Sequence, residues 1–80
     1  MTAEETARMH QRSFRVAFDF LASHFPPQME PEWWEQTAKD CSAASLQAQE
    51  NQLVLELLSG VMEYLGKEYH RRKENGETEN

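Results

Sequence analysis

The sequence predicts an all-α protein, a three-helix bundle with helices over about residues 2–25, 31–47 and 52–73. Three segments repeat apolar residues at helical spacing, with proline or polar turn residues between them. Alternating β-branched runs, which are typical of half-buried strands, do not occur. A chain of 80 residues forms one domain at most, so we expect a single helical domain over residues 1–74 and a flexible acidic tail over residues 75–80.

Local signals set the ends of the first helix. Residues 2–5, TAEE, have the capping-box pattern, in which a threonine and a glutamate each bind the other's backbone N–H. Helical composition then continues to about Phe25, where Pro26 and Pro27 stop the helix. Proline stops it because it has no N–H to donate and because it disfavours helical geometry in the residue before it.

Similar signals delimit the second and third helices. Pro31 is a favoured first-turn residue, so the second helix is predicted to begin there. The polar run over residues 47–52 coincides with a change of phase in the apolar pattern, and we interpret it as a turn with Asn51 as the N-cap of the third helix. Asn75 and Gly76 are predicted to end that helix.

The first helix carries two apolar stripes, where a surface helix in a monomer needs one. One stripe has i, i+4, i+7, i+11 spacing and is expected to fill the core against the small side chains of the second helix: Phe14, Phe18, Leu21 and Phe25. The other stripe lies nearly opposite and consists of Met9, Val16 and Phe20. The second stripe exceeds what a minimal three-helix core requires.

This surplus apolar surface predicts a symmetric homodimer. A chain of this size buries a limited core, and its single Cys41 cannot form an internal disulfide, so self-association is a natural source of stability. The alternative is a compact monomer in which the third helix contacts both others. The candidate interface residues come from all three helices: Met9, Val16, Phe20, Trp33, Leu55 and Met62.

Two adjacent tryptophans stand in the first turn of the second helix. Neighbouring helical residues point about 100° apart, so Trp33 and Trp34 cannot enter the same narrow seam. Trp34 lies on the small-residue face and is expected to anchor the helix in the core. Two interpretations of Trp33 stay open: it packs on the Pro26–Pro27 turn or on the end of a neighbouring helix, or it is an exposed aromatic hot spot for a partner.

No catalytic residue, cofactor site or metal site is predicted, and we interpret the protein as non-enzymatic. Cys41 lies in mid-helix on an apolar face with no histidine nearby in sequence, as a packing cysteine does. His10, His24 and His70 are scattered and lack ligand spacing. The sequence contains no Gly-rich phosphate loop, nucleophile elbow or zinc motif.

The charges allow two kinds of binding surface. The net charge of −6 argues against non-specific nucleic-acid binding, whereas a protein partner with a basic surface fits the acidic middle of the chain, which can imitate a nucleic-acid backbone. Arg8, Arg12 and Arg15 share one helical arc and can bind phosphate or an acidic protein surface. The alternative is that these arginines pair with acidic residues of the protein itself, such as Glu5 and Asp19.

The expected location is the cytoplasm, with no membrane association. No apolar run reaches membrane-spanning length, and Arg15 and Asp19 interrupt the apolar stretch near the N-terminus, which argues against a signal peptide. A lone cysteine fits a reducing compartment.

Three segments carry a resemblance to a known group of proteins. AFDFLASHFPP, EWWEQTAKD and LLSGVMEYLGKEYHRRK make residues 14–73 similar to small uncharacterised proteins encoded on phages and conjugative elements of gut Firmicutes. The resemblance supplies no catalytic residue. It implies an accessory role, including that of an anti-CRISPR-like inhibitor of host defence.

The function predicted from these features is that of a small protein-interaction factor that binds a protein partner. Two alternatives remain open. One is a nucleic-acid or nucleotide binder that uses the arc of Arg8, Arg12 and Arg15. The other is a purely structural subunit of an assembly.

Overall fold

A computed structural model of the chain describes residues 1–49 and 51–76, and within these residues the secondary structure is helical, with no β-strand. The helices are α1 (Ala3–Ser23), α2 (Pro31–Gln47) and α3 (Gln52–Glu74). The predicted all-α class and the three-helix bundle are therefore confirmed. Of the acidic tail predicted over residues 75–80, residues 77–80 lie outside the described residues.

The capping box predicted at the start of α1 is present. The backbone N–H of Glu5 donates to the hydroxyl oxygen of Thr2 at 3.1 Å, and the N–H of Thr2 donates to Oε1 of Glu5 at 2.9 Å. The helix ends at Ser23 rather than at Phe25. His24 is its C-cap and donates its N–H to the carbonyl of Leu21, a tightened last turn that directs the chain out of the helix ahead of the prolines.

The turn between α2 and α3 is confirmed, and so is its capping residue. Gln49 has a φ of 57°, in the left-handed region, which reverses the chain after the end of α2. The side-chain oxygen of Asn51 accepts the N–H groups of Leu53 at 2.9 Å and Val54 at 3.3 Å. These bonds satisfy donors that the first turn of α3 would otherwise leave without partners.

The helices run up, down and up, so α1 and α3 are parallel. Ser13 of α1 and Val54 of α3 line one cavity near the start of the seam. Phe25, just beyond α1, stacks on Tyr64 at the other end, with ring centroids 6.3 Å apart. The intervening α2 is antiparallel to both, because Trp34 near its start meets Tyr69 near the end of α3.

The core uses the face of α1 that was predicted to be surplus. Phe20 is only 6% exposed and packs with Val54, Leu58 and Leu65. The phenylalanines expected in the core face solvent instead, with Phe14 and Phe18 58% and 62% exposed. The prediction of which stripe is buried was therefore wrong.

Small side chains explain why α1 buries this face. Ser13 and Ala17, one turn apart, are 3% and 6% exposed and lie on the same side of α1 as Phe20. Short side chains let a neighbouring helix approach closely, and Phe20 fills the space that remains. Ser13 costs little when buried because its hydroxyl donates to the carbonyl of Met9 at 2.8 Å.

A polar contact joins the C-terminal end of α1 to α2. Nδ1 of His24 lies 2.7 Å from the carbonyl oxygen of Phe20, and Nε2 lies 2.9 Å from Oδ2 of Asp40. Both neighbours are acceptors, so a ring nitrogen that carries a hydrogen can donate to the oxygen that it faces. The hydrogen bond from His24, supported by one from Gln36, lowers the pKa of Asp40 below its ordinary value.

We expect Leu65→Ala to lower the free energy of unfolding by about 2–5 kcal/mol, because Leu65 is fully buried and its truncation leaves a cavity. Urea denaturation followed by circular dichroism measures the change. The matched control is Leu46→Ala on α2, where the side chain is 66% exposed, and its effect should stay within about 0.5 kcal/mol. Equal losses for the two variants would contradict this assignment of the core.

Candidate functional site

Exposed aromatic side chains gather along α1 and the adjacent edge of α3. We call this surface the aromatic face; it consists of Phe14, Phe18, Phe25 and Tyr64 together with Leu21, which is half-buried and also packs against the core. Of its four rings, Phe14 is 58% exposed, Phe18 62%, Phe25 39% and Tyr64 47%. Single exposed apolar residues are ordinary on protein surfaces, but a contiguous aromatic group is typical of an interaction site.

The spacing of the large apolar residues along α1 creates this face. Phe14, Phe18, Leu21 and Phe25 follow each other at intervals of four, three and four residues, which places them on one stripe of α1. This stripe lies about 100° around α1 from the buried side, which carries Ser13 and Ala17 as well as Phe20. Because the buried stripe is already committed to the core, the phenylalanines are left on the outer side of the seam between α1 and α3.

A shallow cavity of about 290 Å³ opens within the aromatic face. Its lining is almost entirely apolar and consists of Phe18, Leu21, Ala22, Phe25 and Tyr64. Ala22 is the smallest of these residues and is exposed, so it leaves room beside the larger rings. The face therefore combines projecting rings with a recess.

The edge of α3 extends the aromatic face with a place for close approach. Leu53, Leu57, Gly60 and Tyr64 share one side of α3 by their spacing of four, three and four residues. A Cβ atom built on Gly60 would meet nothing within 4 Å. A glycine inside a helix lowers the stability of the helix by about 1 kcal/mol relative to alanine. Because the space beside Gly60 is open, packing within the chain does not explain a glycine at this position.

Positive charge borders the C-terminal end of the aromatic face. The guanidinium of Arg72 lies 5.0 Å from the centre of the Phe25 ring, a cation–π contact. Glu68 holds this arginine, accepting from Nε of Arg72 at 2.7 Å and from Nη2 of Arg71 at 2.6 Å. The hydrogen bonds from Arg71 and then Arg72 lower the pKa of Glu68 to about 2.

Four of the six predicted interface residues belong to the core cluster rather than to an exposed surface: Val16, Phe20, Trp33 and Met62. Phe20 is in the core, which corrects its placement on an exposed face. Met9 and Val16 line a cavity of about 360 Å³ beside the α2–α3 turn. Leu55 and Met62 are partly buried on α3, and Met62 packs against the core. The aromatic face, which includes none of the six, is the more exposed apolar surface.

The two tryptophans contact each other edge to face at the start of α2, with ring centres 4.7 Å apart, and both pack against the core. Trp34 donates its indole N–H to the carbonyl of Gln28 at 2.9 Å and contacts Tyr69 edge-on. Trp33 points toward α1, with its ring centre 6.5 Å from that of His24, and it packs against the core. The position of Trp33 matches the interpretation in which it packs on the end of a neighbouring helix.

The arginine arc of α1 is partly engaged in ion pairs within the helix. Arg8 lies 3.2 Å from Glu4, and Arg15 lies 3.2 Å from Asp19. Arg12 lines the cavity that Met9 and Val16 share. Exposed pairs of this kind contribute little to stability, but they reduce the positive charge that the arc offers to phosphate.

Two features of the described residues bear on chemistry: grouped metal ligands and the thiol of Cys41. Within residues 1–49 and 51–76, no group of three or more His, Cys, Asp or Glu side chains could hold a metal ion. Cys41 is half-buried, and burial raises the pKa of its thiol, which disfavours the nucleophilic thiolate. Over the same residues, no helix is long and apolar enough to cross a membrane.

Comparison of the chain with protein-family models, with curated proteins and with solved structures found no match.

We expect Glu68→Gln to destabilise the protein at neutral pH, because the variant loses the carboxylate that binds Arg71 and Arg72. The folded state lowers the pKa of Glu68, so its contribution is fully present above the ordinary value of 4.5 and is lost as the pH falls toward about 2. Melting temperatures of the wild type and the variant should therefore converge as the pH falls through this range.

Glu63→Gln on the same helix is the matched control for this experiment. Glu63 is exposed and lies 4.0 Å from Lys67, so its replacement should change the melting temperature little at any pH. A pH-independent difference between Glu68→Gln and the wild type would contradict the assigned role of Glu68.

Proposed function

We propose that this protein is a non-enzymatic protein-interaction factor that binds through its aromatic face. The exposure of Phe14, Phe18, Phe25 and Tyr64 on one side of the bundle carries the proposal. At about 200 Å² per ring, these exposed fractions leave roughly 400 Å² of aromatic surface in water. Covering such an area provides a hydrophobic driving force of about 10 kcal/mol before the costs of association.

The composition of the aromatic face supports binding to protein. Aromatic residues are enriched at the centres of protein interfaces, where charged residues are depleted. The five residues that define the face carry no charge, and Arg72 borders it at one end. An apolar centre with a polar rim is the arrangement that excludes water around hot-spot residues.

A more specific form of the proposal is that the protein inhibits a host defence system, in the manner of an anti-CRISPR protein. Its support is the resemblance of residues 14–73 to small proteins of phages and conjugative elements. Binding without catalysis suits such a role, because an inhibitor needs only to occupy or block a surface of its target.

The ion pairs within the arginine arc favour protein binding over nucleic-acid binding. Arg8 and Arg15 already pair with carboxylates of α1, so the arc presents less positive charge than three free guanidinium groups would. The net charge of −6 adds repulsion toward a phosphate backbone.

We expect Phe18→Glu to abolish association through the aromatic face, because a carboxylate would have to be buried without a partner. The measurement is affinity capture with the tagged protein from a host lysate that also contains untagged copies of the chain. Leu46→Glu is the control, since Leu46 is 66% exposed, close to the 62% of Phe18, but lies on α2, away from the face. Circular dichroism verifies that both variants are folded.

The proposal predicts that at least one protein, untagged copies included, is retained by the wild type and by Leu46→Glu but not by Phe18→Glu. If every retained protein is insensitive to Phe18→Glu, the aromatic face is not a binding surface. For the defence role, phage plating on a host with an active CRISPR system should rise with the wild type and Leu46→Glu only. Equal plating with Phe18→Glu would contradict that role.

A further inference from the structure

We infer that the aromatic face binds a second copy of this chain, arranged antiparallel about a two-fold axis that passes near Phe18. This inference rests on the proposed function, since it names the partner of the same surface. Three observations carry it: a projecting ring and a matching recess on one face, an exposed glycine beside them, and the area that pairing would cover.

The first observation is that the face is complementary to itself. Phe14 projects from α1 with 58% of its surface exposed, and the recess of about 290 Å³ surrounds Ala22, two turns further along the same helix. In an antiparallel pair centred on Phe18, Phe14 of each copy lies opposite Ala22 of the other. A two-fold interface requires this reciprocity, in which residue i meets j and j meets i.

The recess is large enough for the ring that would enter it. An apolar cavity of about 150 Å³ in a protein core admits benzene, and the recess here is larger and open to solvent. It is lined by rings and alkyl groups from Phe18, Leu21, Phe25 and Tyr64, so a phenyl group inserted beside Ala22 would meet apolar atoms on several sides. The geometry is that of a knob entering a hole.

The second observation is the exposed glycine on α3. Helix α1 of the second copy would lie along the outer groove between α1 and α3, where Gly60 follows Leu57 and precedes Tyr64 on the same side of α3. The open space around the Cα of Gly60 allows the backbone of a neighbouring helix to approach closely. A side chain at this position would hold that helix away.

The third observation is area. The four rings expose roughly 400 Å² on one copy, and a symmetric pair covers this surface twice. About 800 Å² from aromatic rings alone is half of the total of about 1,600 Å² buried in a standard stable interface. Neighbouring residues such as Leu57 and Ala22 would supply part of the remainder.

Charge also permits the pairing of two acidic chains. The residues that define the face are uncharged, and the nearest charged pair on α1, Arg15 and Asp19, is already compensated within the helix at 3.2 Å. Association through this face therefore brings two apolar surfaces together without placing the acidic regions of the two copies in contact.

The test uses the purified full chain and measures its mass by light scattering over a dilution series. The wild type should show twice the chain mass of 9.4 kDa. Phe14→Lys and Ala22→Glu should each be monomeric, because each buries an unpaired charge in both halves of the interface. Ala38→Glu is the control, an equivalent change of an exposed alanine on α2, and it should remain dimeric.

Mixing the two monomeric variants tests the antiparallel arrangement itself. A heterodimer of Phe14→Lys with Ala22→Glu pairs the introduced lysine with the introduced glutamate in one half and keeps Phe14 against Ala22 in the other. Mass should therefore double on mixing at equal concentration. Failure of mixing to restore the dimer would overturn the antiparallel arrangement, and a dimer that survives both single variants would overturn the use of this face.

The outcomes also separate this inference from the proposed function. A wild type that stays monomeric over the whole series overturns self-association. If capture of another protein nevertheless depends on Phe18, the aromatic face remains a protein-binding surface and only its partner was misidentified. If the chain is monomeric and capture is insensitive to Phe18→Glu, both proposals fail together.

Discussion

The close packing of α1 against α3 is the constraint on which the rest of the structure depends. α1 contacts α3 more extensively than it contacts α2, and its buried side includes the small residues Ser13 and Ala17. A face with small side chains gives a short distance between helix axes, which brings Phe20 into contact with Leu58 and Leu65. With that face buried, the helical period leaves Phe14 and Phe18 in water. The exposed aromatic face is thus a consequence of how the core is built.

The local features of this fold could be predicted from the sequence because their causes are local. The bond between Thr2 and Glu5, the cap at Asn51 and the turn before it each depend on residues fewer than five positions apart. Proline and glycine are also local signals, because each affects the backbone conformation at or next to its own position. The three helices and their approximate ends followed from these signals.

The choice between the two stripes of α1 could not be predicted from periodicity, because both stripes have helical spacing. The decision depends on which side can approach α3 closely, and that is a property of two helices distant in the sequence. Ser13 and Ala17, one turn apart beside Phe20, were the available signal.

The contact between His24 and Asp40 joins residues 16 positions apart, and neither residue has a motif that marks it. The candidate site was missed for the same reason, since its location followed from the wrong choice of buried stripe.

The Arg72–Phe25–Tyr64 arrangement affects the entropy of binding as well as its enthalpy. The guanidinium of Arg72 lies 5.0 Å from the centre of the Phe25 ring, and the Tyr64 ring stacks on it with ring centres 6.3 Å apart. The Phe25 side chain is therefore already restricted in the free protein. Phe14 and Phe18 stand on a regular helix and have only two rotatable side-chain bonds each. Ordering an interface commonly costs about 0.5–1.5 kcal/mol for each flexible side chain that is immobilised. Because Phe25 is already held by these contacts, it loses little conformational freedom on association, and this part of the ordering cost is avoided.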